Sequence, residues 1–211
     1  MSMNILIADD HPVVRQGLRQ MLASENDLNV VGEARNGHEV VEISKRVEWD
    51  VAVLDYNMPG RTGLELVKEL KQRHPGRPVL ILSMYPEERY ALRALKAGAA
   101  GYITKESASG ELVNAIRKVA KGGRYVSTSL GERLAQELAG DSERPVHERL
   151  SDREYQIMWM IASGKTVGEV AEQLFLSPNT VSTYRARILR KMNMKSNAEL
   201  MHYAIAHHLV D

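Results

Sequence analysis

The sequence predicts a doubly wound α/β domain with a five-stranded parallel sheet, followed by a small all-helical domain. Short apolar, β-branched runs occur at residues 4–8, 28–32, 51–54, 79–82 and 101–104. Segments with helical apolar spacing separate them, and this alternation is typical of a parallel sheet covered by helices on both faces. From residue 150 onward the strand pattern is lost and four helical segments follow.

The helices of the first domain are predicted from apolar side chains that recur on one face. The first helix carries such a face at Val13, Val14, Leu18 and Leu22, and the second carries one at Val40, Val41 and Val47. Further helical segments are expected at 63–73, 87–96 and 108–121. No G-x-G-x-x-G motif follows the first strand, so a Rossmann dinucleotide site is not expected.

A polar stretch, "GDSERPVHER", separates the two halves of the chain. We therefore predict a first domain at 1–124, a linker with one short helix at 125–147, and a second domain at 148–211. The helices of the second domain are expected at 152–163, 167–174, 178–192 and 197–207. Their predicted starts carry capping residues, namely Ser151 with Glu154, Ser177 before Pro178, and Ser196 with Glu199.

Composition excludes several classes of protein. Cysteine is absent from the 211 residues, which rules out disulfides, thiolate metal sites and cysteine nucleophiles. The net charge of +1 is too small to indicate nucleic acid binding by the whole chain, so any basic surface must be local. No apolar run approaches the roughly 18 to 20 residues that cross a bilayer, and we expect a cytoplasmic protein with no membrane partner.

Carboxylates follow two strands of the predicted sheet. Asp9 and Asp10 end the first strand, and Asp55 ends the third. In the flavodoxin-like order 2-1-3-4-5 these strands are neighbours, so the three carboxylates should converge at one edge. Their mutual repulsion favours a bound cation, and Mg²⁺ is the expected ion. Lys105 after the fifth strand and Ser83 at the end of the fourth should reach the same edge.

A carboxylate, a divalent cation, an ammonium group and a hydroxyl around one point predict a phosphoryl-transfer site. Asp55 would attack a phosphoryl group while Mg²⁺ and Lys105 neutralise charge on its oxygens. Taken singly, these residues have simpler explanations, such as a surface lysine or helix-capping aspartates. His11 is expected to be a solvent-facing cap of the first helix rather than a metal ligand, and Pro59 with Gly60 should fix the bend after Asp55.

Four segments, "ILIADDHPVVRQGL", "VAVLDYNMPGRTGLEL", "VLILSMY" and "GAAGYITKES", resemble the receiver domain of bacterial two-component response regulators of the NarL/FixJ type. The resemblance covers residues 3–122. It implies that Asp55 accepts phosphate from the histidine of a sensor histidine kinase. It also implies that Asp9 and Asp10 hold Mg²⁺ together with the backbone carbonyl of Asn57. Lys105 matches the lysine of the family's motif, and Ser83 and Tyr102 match the hydroxyl and the aromatic residue of its switch.

The second domain contains a helix of about eight residues, the short turn "LFLS" and a longer helix, which is the helix-turn-helix layout. With Val181 facing the core, Tyr184, Ile188 and Met192 share its side of the longer helix. The opposite side carries Thr183, Ala186, Arg187 and Arg190. Residues 182–195 include five cations and no acid, which indicates a local nucleic-acid surface. The alternative is an ordinary solvated basic face.

Residues 148–211 are similar to the LuxR-type DNA-binding domain. This resemblance implies a recognition helix at 178–192 and phosphate contacts from Lys165, Thr166, Asn179, Thr180 and the flanking cations, which include Arg190 and Lys191. At the base-reading positions Ser182, Thr183 and Ala186 are small, so readout is predicted to depend on Arg187 and on DNA shape.

Together the two halves predict a phosphorylation-controlled transcriptional regulator rather than an enzyme. The expected partners are a sensor histidine kinase, double-stranded promoter DNA, and a second copy of the chain when phosphorylated; RNA polymerase is a further candidate. One alternative is a hydrolase of the haloacid-dehalogenase type, which needs an Asp where Asn57 stands. The other is a DNA-binding protein with a degenerate receiver, which would usually lack an acidic residue or the lysine.

Overall fold

The computed structural model describes residues 2–59, 61–139 and 145–210, and the chain divides into two compact units between residues 140 and 141. The first unit alternates strands and helices in the predicted way. Its elements are β1 (Met3–Ala8), α1 (Pro12–Ala23), β2 (Leu28–Ala34), α2 (Gly37–Arg46), β3 (Val51–Asp55), α3 (Gly63–Arg73), β4 (Val79–Ser83), α4 (Glu87–Ala97), β5 (Gly101–Thr104), α5 (Ala108–Ala120) and α6 (Thr128–Ala139).

The five strands form one parallel sheet in the order β2-β1-β3-β4-β5, which confirms the predicted fold class. The register pairs Ala8 with Leu54 and Asp55 with Leu82, so β1, β3 and β4 end at the same edge. All residues of β3 and β4 are buried, as expected for central strands covered on both faces. One face packs against the apolar sides of α1 and α5.

The turn after Asp55 is tightly packed against the start of α3. A Cβ atom on Gly63 would lie 2.8 Å from the Cα of Tyr56 and 2.9 Å from the carbonyl oxygen of Asp55, so only glycine fits there. Thr62 caps α3 with a capping box that includes Glu65. These contacts hold the segment that follows Asp55 in place. Gly60, which we predict to shape the same bend, lies outside the described residues.

The short helix predicted in the linker is present as α6, and it packs against α4. Leu130 of α6 is buried, and the amide N–H of Ser127 donates to Glu87 Oε1 in α4. This helix is therefore packed on the first unit rather than extended in solvent. Residues 140–144 of the linker lie outside the described residues, and the linker boundaries stay a prediction.

The second unit is all-helical, with a short 3-10 helix at Val146–Arg149 followed by α7 (Asp152–Ala162), α8 (Val167–Gln173), α9 (Pro178–Lys191) and α10 (Asn197–Ala206). Side-chain oxygens of Ser151, Thr166, Ser177 and Ser196 accept hydrogen bonds from backbone N–H groups in the first turns. None of the described helices is both long and apolar enough to cross a bilayer.

Candidate functional site

Asp55 is a buried carboxylate at the end of β3, with an exposed fraction of 3%. Its Oδ2 accepts a hydrogen bond from Lys105 Nζ at 3.0 Å, and its Oδ1 accepts one from the Asn57 N–H at 3.2 Å. Burial raises the pKa of Asp55 to about 7, because the opposing charge of Lys105 does not fully offset desolvation and Asp9 adds repulsion. The site therefore strongly favours positive charge near Asp55.

Lys105 bridges two strands at this edge of the sheet. It follows β5 directly, and its Nζ lies 2.7 Å from Asp9 Oδ2 as well as 3.0 Å from Asp55 Oδ2. Burial lowers the pKa of Lys105, but the nearby carboxylates outweigh burial and the pKa is raised. Lys105 is therefore held as an ammonium group between two buried carboxylates.

The acidic cluster suits a divalent cation. Asp9, Asp10, His11 and Asp55 each offer a ligand atom, and these four atoms lie within 4.8 Å of one another. Asp9 Oδ2 lies 2.7 Å from Lys105 Nζ, and Asp10 Oδ1 lies 2.7 Å from His11 Nδ1. Both oxygens are buried, and neither makes a contact with hydrogen-bond geometry within the described chain. When all three carboxylates are ionised, they and the one ammonium leave two negative charges, which a divalent ion would balance. Such oxygen donors are the ligands that Mg²⁺ prefers.

Ser83 and Tyr102 are buried beside this cluster and are linked through Tyr85. Ser83 Oγ accepts from the Tyr85 N–H at 3.0 Å, and the Tyr102 hydroxyl donates to the Tyr85 carbonyl oxygen at 2.8 Å. Burial raises the pKa of Tyr102 despite a hydrogen bond with Ser83. Both side chains of the predicted switch thus hold the backbone of the β4–α4 segment.

Tyr85 belongs to an aromatic group that sequence reasoning missed. Its ring stacks on Tyr90 with centroids 4.8 Å apart, and both rings contact Tyr56, the residue next to Asp55. The sequence indicates this aromatic group only by placing one tyrosine after β3, one after β4 and one on α4. They connect the turn after Asp55 to α4 by direct packing.

The exposed side of α9 carries the residues predicted to face DNA. Val181, Ile188 and Met192 are buried. Tyr184 is half-buried, and the Arg187 guanidinium lies 5.9 Å from the centre of its ring. The predicted DNA-contacting residues that are exposed on the outer face of α9 are Ser182, Thr183, Ala186, Arg187 and Arg190. Asn179 at the start of α9 and Thr166 at the start of α8 are also exposed, whereas Lys165 and Thr180 are half-buried.

Some of the polar side chains near α9 have structural partners that the sequence does not reveal. Lys191 Nζ lies 2.6 Å from a carboxylate oxygen of Glu154, which is buried at the start of α7. Arg185 donates to Asn197 Oδ1 at 2.6 Å. Thr183 Oγ1 donates to the carbonyl oxygen of Asn179. The bonds of Lys191 and Arg185 position α9 against α7 and α10, whereas that of Thr183 lies within α9.

Comparison with known proteins matches both halves of the chain. Residues 5–117 match the response regulator receiver domain, and residues 148–204 match the luxR family of bacterial regulatory proteins. The chain is 38% identical to the response regulator UvrY of Escherichia coli K12 over 207 residues, covering 98% of this chain and 95% of the relative. It is 39% identical to the response regulator GacA of Pseudomonas aeruginosa PAO1 over 212 residues, with 98% and 97% covered.

The fold is also found in a solved structure of RcsB from Salmonella enterica serovar Typhimurium, bound to promoter rprA in the presence of the phosphomimetic BeF3⁻. That likeness has a TM-score of 0.64 and 26% identity, and it covers 96% of this chain and 98% of the other. Both parts of the chain therefore have matched relatives, and the order of the parts is the same. The chain belongs to the NarL/FixJ family of response regulators, transcription regulators that join a receiver domain to a LuxR-type DNA-binding domain.

Proposed function

We propose that Asp55 is the phosphoacceptor of this regulator and receives its phosphoryl group from a sensor histidine kinase. The observation that carries the proposal is the Lys105 ammonium, which lies 3.0 Å from Asp55 and 2.7 Å from Asp9. A cation so placed can contact an oxygen of a phosphoryl group on Asp55. The ionised Asp55 carboxylate would act as nucleophile, and the donor's nitrogen would leave as the P–N bond breaks.

The donor set of Asp9, Asp10 and Asp55 supports Mg²⁺ as the cofactor, with the Asn57 carbonyl as a further ligand. Bound Mg²⁺ would neutralise charge on the phosphoryl oxygens. Lys105 would share that task, and Ser83 at the end of β4 would donate a hydroxyl proton to a third oxygen. The reaction is a single transfer to the protein's own side chain, and hydrolysis of the acyl phosphate by water would restore the free carboxylate and release inorganic phosphate.

The switch proposal starts from the bonds of Ser83 and Tyr102 to Tyr85. A hydroxyl drawn towards phosphate would release the Tyr85 N–H, and the β4–α4 segment and Tyr102 would then rearrange together. We propose that the altered receiver surface promotes homodimerisation. Two DNA-binding domains would then engage two half-sites. The structure of RcsB bound to a promoter in the presence of a phosphomimetic supports a link between phosphorylation and DNA binding.

For DNA recognition, the exposure of Arg187 and Arg190 on α9 supports base and phosphate contacts, respectively. Ser182, Thr183 and Ala186 would approach the base edges. Contacts with phosphate would come from Lys165, Thr166, Asn179, Thr180 and Lys191. The protein would act in the cytoplasm, where promoter DNA and RNA polymerase are found, with functional boundaries at 1–124, 125–147 and 148–211.

The test compares wild type with Asp55→Asn and a matched control, Glu48→Gln, whose carboxylate is 87% exposed at the other end of β3. Each protein is incubated with Mg²⁺ and acetyl phosphate. Intact mass, sedimentation and binding to selected promoter DNA are then measured. We expect a phosphoryl adduct and tighter DNA binding for wild type and Glu48→Gln, and neither for Asp55→Asn. A normal response of Asp55→Asn would overturn the assignment.

A different measurement distinguishes this regulator from the hydrolase alternative. Multiple-turnover hydrolysis of p-nitrophenyl phosphate that depends on Asp55 would indicate an enzyme. Asn57, whose N–H donates to Asp55, stands where such an enzyme needs a general acid, so we expect no turnover beyond loss of the protein's own phosphate.

A further inference from the structure

We infer that His11 is an additional metal ligand of the acidic cluster, so that the site binds late first-row divalent metals such as Co²⁺ and Ni²⁺ more tightly than Mg²⁺. The inference rests on the metal site proposed above and adds the class of ion that the site selects. It departs from the expectation from sequence that His11 is a solvent-facing cap of the first helix rather than a metal ligand.

The His11 side chain is turned towards the carboxylates rather than used by the helix. His11 occupies the N-cap position of α1, but its imidazole makes no capping hydrogen bond among the described residues. Instead its Nδ1 lies 2.7 Å from Asp10 Oδ1 and 3.4 Å from Asp9 Oδ1. The ring is 64% exposed, so it can adjust to an ion and remains accessible from solvent.

The backbone around His11 is well fixed. The His11 N–H donates to Asp9 Oδ1 at 2.9 Å, and Arg15 donates to the Asp9 carbonyl oxygen at 2.8 Å. Pro12 follows directly and restricts the first helical residue. The backbone that carries the imidazole and the two carboxylates is therefore rigid at the end of β1, while the exposed ring can still adjust.

The spacing suits coordination. In an octahedral site with bonds of about 2.1 Å, adjacent ligand atoms lie about 3 Å apart. The two distances from His11 Nδ1, 2.7 and 3.4 Å, lie on either side of that value. Nδ1 can thus occupy a position adjacent to both carboxylate oxygens with only small side-chain movements.

A nitrogen ligand changes which divalent metal the site prefers without changing the net charge of its ligands. A neutral imidazole adds a donor without adding negative charge, and the balance between the carboxylates and a divalent ion is kept. Imidazole binds late first-row metals well, whereas Mg²⁺ prefers oxygen and retains its waters. His11 should therefore strengthen Co²⁺ binding and leave Mg²⁺ binding almost unchanged.

Calorimetric titration of the full chain with Co²⁺ and with Mg²⁺ tests the inference. The variants are His11→Ala, His11→Gln and His202→Ala, the last being a matched control with an exposed histidine on α10. Both His11 variants should weaken Co²⁺ binding by about tenfold or more and change Mg²⁺ binding by less than about twofold. His202→Ala should behave as wild type.

Proton NMR of the Co²⁺-loaded chain identifies the ligand directly. A coordinated imidazole should show a strongly shifted, exchangeable ring N–H signal that persists in His202→Ala and is lost in His11→Ala. Unchanged Co²⁺ affinity in His11→Ala, or the same signal in that variant, would refute the role of His11. Asp9→Asn separates the two proposals, because loss of binding of both metals there supports the carboxylate site whatever His11 does.

Discussion

The ion pair between Lys191 and Glu154 predicts that Lys191→Met destabilises the second domain, whatever its effect on DNA binding. Lys191 ends the helix proposed to read DNA, and Glu154 is the carboxylate of the capping box at the start of α7. Glu154 Oε2 accepts from Lys191 Nζ at 2.6 Å and from the Ser151 N–H at 2.8 Å. Removing the ammonium leaves a buried carboxylate with its capping bonds alone.

The size of the effect follows from the exposure of the two side chains. Hydrogen bonds to charged groups contribute about 1.5 to 3 kcal/mol when buried. The Glu154 side chain is 5% exposed, but that of Lys191 is 41% exposed, so solvent screening reduces the value. We expect Lys191→Met to lower the free energy of unfolding by about 1 to 2 kcal/mol.

The difference should depend on pH in a defined direction. Burial raises the pKa of Glu154, but hydrogen bonds from Lys191 and Ser151 outweigh burial and hold the pKa below its ordinary value of 4.5. Because the folded-state pKa is lowered, the ionised Glu154 stabilises the fold fully above pH 4.5. This stabilisation is lost as the pH falls through the folded-state pKa. The gap between wild type and Lys191→Met should therefore close below pH 4.5.

Hydrogen exchange of the full chain, followed in peptides from α7 and α9, measures the local free energy of opening. Arg190→Met is the matched control, because it removes a neighbouring cation that is exposed. If both cations contact phosphate, both variants should reduce the salt dependence of DNA binding by about one unit of slope. Equal exchange in Lys191→Met and Arg190→Met at neutral pH would refute the structural role of Lys191.

Phe175, in the turn between α8 and α9, has a left-handed φ of 54°, so Phe175→Gly should raise the stability of the second domain by about 1 kcal/mol in thermal unfolding. Gly101→Ala should destabilise the receiver by about 1 to 3 kcal/mol in urea unfolding, because the added Cβ atom would lie 2.6 Å from the Tyr125 carbonyl oxygen. The control Gly110→Ala places its Cβ in open space on α5 and should leave the stability unchanged. Arg117 lowers the pKa of Asp27 below its ordinary 3.8 through a hydrogen bond, so the destabilisation by Arg117→Gln should be present above pH 3.8 and fade as the pH falls through the folded-state pKa. An effect of Arg117→Gln that persists at pH 2 would contradict this assignment.

Sheet order and the convergence of Asp9, Asp55 and Lys105 follow from local patterns in the sequence. Apolar runs mark the strands, and the carboxyl ends of parallel strands necessarily lie at one edge. Their mutual distances confirm that convergence, while their chemical roles stay predictions. The helical periodicity of α9 likewise separates its buried side from its exposed side.

Pairings between distant side chains could not be predicted in the same way. Lys191 and Arg185 looked equivalent to the other cations of α9, because periodicity gives the direction of a side chain but not what it meets. Glu154 on α7 and Asn197 on α10 become their partners only through the packing of three helices. The orientation of His11 is a similar case, since an N-cap position does not determine whether the ring turns to the helix or to Asp10.

The strand order also has a consequence for the way the chain folds. Residue 5 pairs with residue 51 and residue 80 with residue 101, so the sheet is built from contacts between distant parts of the sequence. Non-local pairing is slow. The acidic edge gains the charge of Lys105 only after β5 has joined the sheet, so the candidate site stays incomplete until the last strand is paired.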